Sequence, residues 1–198
     1  GNGLMTFVNA TLISDDFKYK RYDIDSDDAG FSLRNESADL DEDALAFKTD
    51  NINAHVSFVD RIGEFVSNDG ESEVEFPVNQ YRCKMDVFKW FMDELSIEME
   101  KKKDKNLSID TGVDLAGPNF FSTHPKQDTL QFRAPKAKFD LRAKTIYCDK
   151  VEYIDVADAR IFPDSMKIVI RKKARMDELE NSRIVANYIT KYHSFEKA

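Results

Sequence analysis

The chain has 198 residues, with 41% hydrophobic and 33% charged side chains, a balance that excludes a disordered chain and suffices to bury a real core. A net charge of −8 leaves no dominant basic footprint for nucleic acid, and no apolar run reaches the length of a membrane span. Two cysteines, Cys83 and Cys148, exclude a disulfide framework; they either pair with each other or remain buried thiols.

Period-2 alternation dominates from the start. Gly1-Asn2-Gly3 leads directly into Leu4, Phe7, Ala10 and Leu12, a strand pattern with no signal peptide before it. Phe17 to Tyr22 alternates ring and charge, Phe31-Ser32-Leu33 follows, and Asn35 to Asp43 reads as an acidic loop. Strand patterns resume at Leu45-Ala46-Phe47 and from Ile52 to Phe58, then after the Asn68-Asp69-Gly70 turn at Val74-Glu75-Phe76, ended by Pro77. Residues 81–99 are ambiguous. Val87, Trp90, Phe91 and Leu95 fit a helical stripe, whereas the alternation of Met85, Val87, Lys89 and Phe91 with Phe88, Trp90 and Met92 fits a strand, the reading preferred here.

A charged stretch, Lys101 to Asn106, separates this half from further alternation at 109–115 and a break at Gly117-Pro118-Asn119. Short strand patterns follow at Leu130-Gln131-Phe132, residues 137–141, Thr145-Ile146-Tyr147-Cys148 and residues 151–156, with a turn at Phe162-Pro163-Asp164-Ser165 and the cleanest strand at residues 167–171. A short helix over 176–182 is an alternative to further strand, and the pattern at 189–195 reads as strand at the end of an excised piece. Such short strands at this spacing predict an all-β fold: stacked short antiparallel strands, as in a β-solenoid or open jelly roll.

Some residues recur in order at a nearly constant offset: Leu45-x-Phe47 with Leu130-x-Phe132, Phe76-Pro77 with Phe162-Pro163, and Met92-Asp93-Glu94-Leu95 with Met176-Asp177-Glu178-Leu179. They divide the chain into two tandem β units, residues 1–105 and 106–198, that form one continuous structure in which each covers the other's apolar face.

A resemblance rests on Phe121-Ser122-Thr123-His124-Pro125-Lys126-Gln127-Asp128, Ala137-Lys138-Phe139-Asp140-Leu141 and Val151-Glu152-Tyr153-Ile154-Asp155-Val156-Ala157-Asp158-Ala159, continuing through Lys172 to Met176 and Ile184 to Asn187 as far as Lys191-Tyr192-His193. These segments resemble the large uncharacterised β-repeat envelope proteins of Bacteroidetes, and Phe76-Pro77-Val78-Asn79-Gln80-Tyr81 carries the same likeness into the first half. The cadence of Ala137-Lys138-Phe139-Asp140-Leu141 followed by residues 151–159 is also similar to the periplasmic bridge of lipopolysaccharide transport and to open β-groove lipid-conducting proteins. The resemblance implies a cell-envelope location, periplasmic or outer-membrane-associated, with lipid, another β-rich envelope protein or neighbouring repeats of the same parent chain as partners. It carries no ligand-binding residue across.

No catalytic, cofactor-binding or metal-ligating residue is assigned, and no cofactor is expected. His55, His124 and His193 are far apart and lack zinc-ligand spacing. Ser122-Thr123-His124 offers a hydroxyl beside a base, but neighbours on an extended chain point to opposite faces. Residues 23–28, Asp-Ile-Asp-Ser-Asp-Asp, place carboxylates at alternate positions as a calcium loop does, yet Asp28 and Arg34 stand where an EF-hand needs Gly and Glu. On a strand, Arg171, Lys173 and Arg175 share one face, fit either for an anionic headgroup or for a charged protective edge. The expectation is a non-enzymatic structural or binding segment of a larger envelope protein, offering a scaffold or a lipid groove; the alternative is a protein-interaction module acting through edge-strand addition. An exposed aromatic stripe on a concave face favours the groove, and the same rings packed in a closed core favour scaffold alone.

Overall fold

The computed structural model describes residues 3–35, 45–70, 72–102, 117–127, 129–186 and 193–195. Most of the expected acidic loop, the Lys101–Asn106 stretch beyond residue 102, the alternation at 109–115, the boundary between the two proposed units and residues 189–192 lie outside them. The described residues form an all-β structure without helices, an extensive antiparallel sheet that does not close into a barrel.

Its strands are β1 (Gly3–Thr6), β2 (Ala10–Ser14), β3 (Lys18–Tyr19), β4 (Asp23–Arg34), β5 (Leu45–Ser57), β6 (Ile62–Ser67), β7 (Glu73–Phe76), β8 (Tyr81–Lys84), β9 (Val87–Phe91) and β10 (Ser96–Glu100). They continue as β11 (Phe120–Ser122), β12 (Gln131–Phe132), β13 (Lys136–Asp140), β14 (Thr145–Asp149), β15 (Ile154–Val156), β16 (Ala159–Phe162), β17 (Lys167–Ile170), β18 (Arg183–Ala186) and β19 (His193–Phe195). Residues 81–99 are therefore strand, in three pieces.

The pairings divide the sheet into two leaves joined through β4 and β5. The first half of β4 and the second half of β5 lead through β6, β9, β10, β13 and β14 to β17, forming leaf A. The other halves lead from β1 and β2 through β7, β8, β11, β12, β15 and β16 to β18 and β19, forming leaf B. Register shifts in β4–β5 near Ser26, Ala29 and Phe31 allow these two long strands to bend from one leaf into the other, which is what a β-bulge does. Strand pairs from β6 onward cross from leaf to leaf at one side, the spine, and turn back within a leaf at the opposite side, the rim.

Alternation explains why the leaves close on each other. Val56, Gly63, Trp90, Ile97, Phe139, Ile146 and Ile170 make one cross-strand row on the inner face of leaf A, all buried. Leaf B answers with Leu12, Phe31, Thr49, Val74, Cys83, Phe120, Phe132 and Ile154. Gly63 is required because a Cβ there would lie 2.8 Å from the Phe65 ring and 3.1 Å from Trp90. The outer faces carry the polar half of the pattern. His55, Glu64, Lys89, Glu98 and Lys138 lie side by side across leaf A, as do Glu100, Lys136, Asp149 and Lys167, so signs alternate from strand to strand. Lys48, Glu75 and Arg82 do the same on leaf B. Opposite charges on paired strands support the register and leave no one-signed face over these rows.

Candidate functional site

Nine of the aromatic residues meet between the leaves, whereas Tyr19, Tyr22, Phe58 and Tyr147 are exposed. Phe47 of leaf B has its ring centroid 5.5 Å from Phe76, 6.4 Å from Phe88 and 6.5 Å from Phe139, while Phe31 lies 4.5 Å from Phe65 and 5.0 Å from Trp90. Phe120 and Phe132 stack on adjacent strands of leaf B at 5.1 Å. All nine rings are at most 1% exposed. The interior is thus occupied by the residues that would line a groove. Two depressions, of about 400 and 440 Å³, combine charged and apolar linings: Lys89, Glu98 and Lys138 with Val87, Met99 and Ala137 in one, and Glu73, Glu75 and Arg82 with Phe76, Pro77 and Tyr81 in the other.

The candidate chemical groups do not converge. His55 is hydrogen-bonded through Nδ1 to Asp25 at 2.6 Å on the outer face of leaf A. His124 sits in the turn after β11 and accepts from the Lys126 amide at 3.0 Å. The Ser122 hydroxyl donates to Gln127 Oε1 at 2.6 Å, so it is committed to the turn rather than to a base. The His193 side chain lies outside the described residues. Among the described residues no group of three His, Cys, Asp or Glu side chains is placed to hold a metal ion.

The Asp23–Asp28 run is a strand rather than a calcium loop: Asp23 to Ser26 alternate outward and inward, Asp25 meets Lys20 and His55, and Asp27 meets Lys18. Behind it lies a hub that sequence reading missed. Asp16 accepts from Ser14 Oγ at 2.6 Å, Ser26 Oγ at 2.7 Å and the Asp27 amide at 3.0 Å, and these bonds hold its carboxyl well below the ordinary 3.8. Lys20 and then His55 lower Asp25, and Arg171 lowers Asp177. A depressed carboxyl contributes stability in full above its unfolded value and loses it as pH falls through the folded one. Thermal midpoints should therefore be insensitive to these groups above about pH 5 and decline below about pH 4, and Asp16→Asn should flatten that acid limb. A limb of unchanged steepness in Asp16→Asn would remove Asp16 from the explanation.

The basic cluster is a turn rather than one strand face. Lys173 and Ala174 both have positive φ, 55° and 54°, the Arg175 amide donates to Lys172 O at 3.3 Å, and Arg171 pairs with Asp177 at 2.5 and 2.7 Å. This turn closes part of the rim: Lys173 and Ala174 amides donate to Val78 O and Asn79 O of leaf B, both at 2.9 Å, and Gln127 Nε2 donates to Ala174 O at 2.7 Å. Residues 176–182 continue without a helix, Met176 bridging to Ile170.

Two asparagines complete the closure. Asn79, fully buried at the rim, donates from Nδ2 to Lys144 O at 2.9 Å and Ile170 O at 3.3 Å, both on leaf A. Asn119 at the spine donates from Nδ2 to Lys84 O at 3.2 Å and Ala134 O at 3.0 Å, and its Oδ1 accepts from the Ala134 amide at 2.8 Å. Their sequence signal was slight: each falls within three residues of a proline, in segments read only as turns or breaks. Cys83 on leaf B and Cys148 on leaf A are both free and buried, and burial pushes both thiols well up, away from the reactive thiolate. Comparison with known proteins adds no relative to this picture: no family model, no curated protein and no solved structure matches the chain.

Proposed function

We propose that this chain is a non-catalytic structural segment of a bacterial cell-envelope protein, a two-leaf β scaffold whose interior is filled by its own side chains. The observation that carries the reading is the ring-packed space between the leaves, from Phe31 and Trp90 at one end to Phe120 and Phe132 further along, with each of these four rings at most 1% exposed. A lipid groove needs that space vacant for acyl chains. The charge ladders on both outer faces supply solubility and register. The envelope placement, with neighbouring β repeats as partners, follows the resemblance carried by the segments from Phe121 to His193.

The test is organic extraction of the purified chain followed by mass spectrometry of lipids, against an unrelated β protein expressed in the same way. No stoichiometric acyl lipid is expected. An acyl lipid retained at about one per chain would overturn the scaffold reading.

A further inference from the structure

The interior holds two reactive groups that the packing does not use, the thiols of Cys83 and Cys148. The strand register brings them together. Hairpin β7–β8 lies over hairpin β13–β14. Asn79 in the turn of the first donates to Lys144 O in the turn of the second at 2.9 Å, and Phe76 of β7 meets Phe139 of β13 with ring centroids 5.2 Å apart. Within the hairpins Tyr81 is the strand partner of Phe76, and Ile146 is the partner of Phe139. One inward position further from the rim stand Cys83 on β8 and Cys148 on β14. The same step on two superposed hairpins leaves the two side chains at matching places on facing leaves. Both are sealed, 0% and 2% exposed, and their strand partners are apolar: Val74 and Phe120 beside Cys83, Ala137 and Ile168 beside Cys148. Burial first and then the nearby Cys148 push the Cys83 thiol up, as two sulfurs in one apolar space do.

We propose that Cys83 and Cys148 close a disulfide between the leaves when the chain folds under oxidising conditions. This deepens the scaffold reading and rests on it, because such a bond fixes hairpin to hairpin in a part built to hold its shape. The oxidant is a disulfide, small or protein-borne. One cysteine thiolate attacks it, releases one of its sulfurs as a thiolate and is left in a mixed disulfide. The other cysteine thiolate then attacks the first cysteine's sulfur and displaces the oxidant's second sulfur. The two protons and two electrons lost by the cysteines leave the oxidant as two thiols. The exchange takes place before the leaves close, since thiols this deeply buried meet no oxidant in the folded chain.

Refolding of the whole chain from urea in graded mixtures of reduced and oxidised glutathione tests this, with the same mixtures in concentrated urea as the unfolded reference. Alkylation in denaturant followed by intact mass then separates the free dithiol, the internal disulfide, glutathione adducts and linked dimers. Folding favours the bond by the same factor as the bond favours folding. The folded chain should therefore keep it in mixtures roughly a hundredfold more reducing than the unfolded chain does. The oxidised monomer should retain the Trp90 fluorescence of the reduced chain and melt about 5–10 °C above it. Equal redox dependence in the folded and unfolded chains would overturn the pairing. So would adducts or linked dimers in place of the internal bond, or an oxidised monomer that melts below the reduced one. The lipid extraction reads the scaffold separately: a lipid-free chain without the bond removes the disulfide alone, whereas retained lipid removes the scaffold.

Discussion

Phe47→Ala should lower unfolding stability by about 3–5 kcal/mol, the range for truncating a fully buried aromatic. Phe47 belongs to leaf B, yet its ring contacts reach Phe88 and Phe139 on leaf A and Phe76 on its own leaf. With Phe31 the partners span residues 31–139, so one truncation opens a void shared by distant parts of the chain. Small domains have roughly 5–15 kcal/mol in total, so the urea midpoint should fall by a large fraction. Trp90 is the only tryptophan, and it lies 5.0 Å from Phe31, itself 6.0 Å from Phe47. Its fluorescence should therefore report the same transition as circular dichroism. Phe121 provides the contrast. It lies on the outer face of β11 under the Arg82 guanidinium, so Phe121→Ala should cost under about 1 kcal/mol. Similar losses for the two variants would mean that the inner and outer faces are not separated as described.

The faces of these strands were legible because burial follows a period of two. Phe88 and Trp90 against Val87, Lys89 and Phe91 is a pattern that a helix would smear around its circumference. Local recurrence was legible in a narrower sense. Phe76-Pro77 and Phe162-Pro163 begin turns of the same build, with Gln80 and Met166 at φ of 54° and 53° and each amide bonded back to the proline carbonyl at 3.2 Å. In both turns the proline carbonyl accepts the closing bond and the residue three positions on takes positive φ, so the shared dipeptide stands at the same place in each. One such turn joins strands within leaf B and the other carries the chain from leaf B to leaf A. The shared Met-Asp-Glu-Leu tetrapeptide shows the opposite. Met92 to Leu95 form a tight hairpin turn, while Met176 to Leu179 run on past the edge of β17. Four residues without Gly or Pro do not set their own conformation, and the surrounding strands decide it. The leaf-to-leaf bonds were illegible for a related reason. Asn79 and Asn119 serve carbonyls up to 91 positions away, and no local pattern records such a partner.

Those two asparagines carry the second large expectation. Asn119→Ala and Asn79→Ala should each destabilise the chain by about 2–4 kcal/mol, because truncation removes several buried hydrogen bonds at once. Asn119 should be the costlier site. Its loss removes the bond to the Ala134 amide together with those to the Lys84 and Ala134 carbonyls, and an unpaired buried N–H is tolerated less well than a carbonyl with a second lone pair. Asn79 serves two carbonyls only, and its own Oδ1 finds no partner among the described atoms, so all of its contribution lies in Nδ2. Position decides the dynamic signature. The spine is where the chain passes between leaves, so Asn119→Ala should accelerate hydrogen exchange at Ala134, at the entry to β13. The rim is held by contacts between turns, so Asn79→Ala should accelerate exchange at Lys173 and Ala174, whose amides bond to the Val78 and Asn79 carbonyls. Exchange that quickens uniformly over both leaves would instead mean that neither asparagine acts as a local clamp, and that the filled interior alone keeps the leaves together.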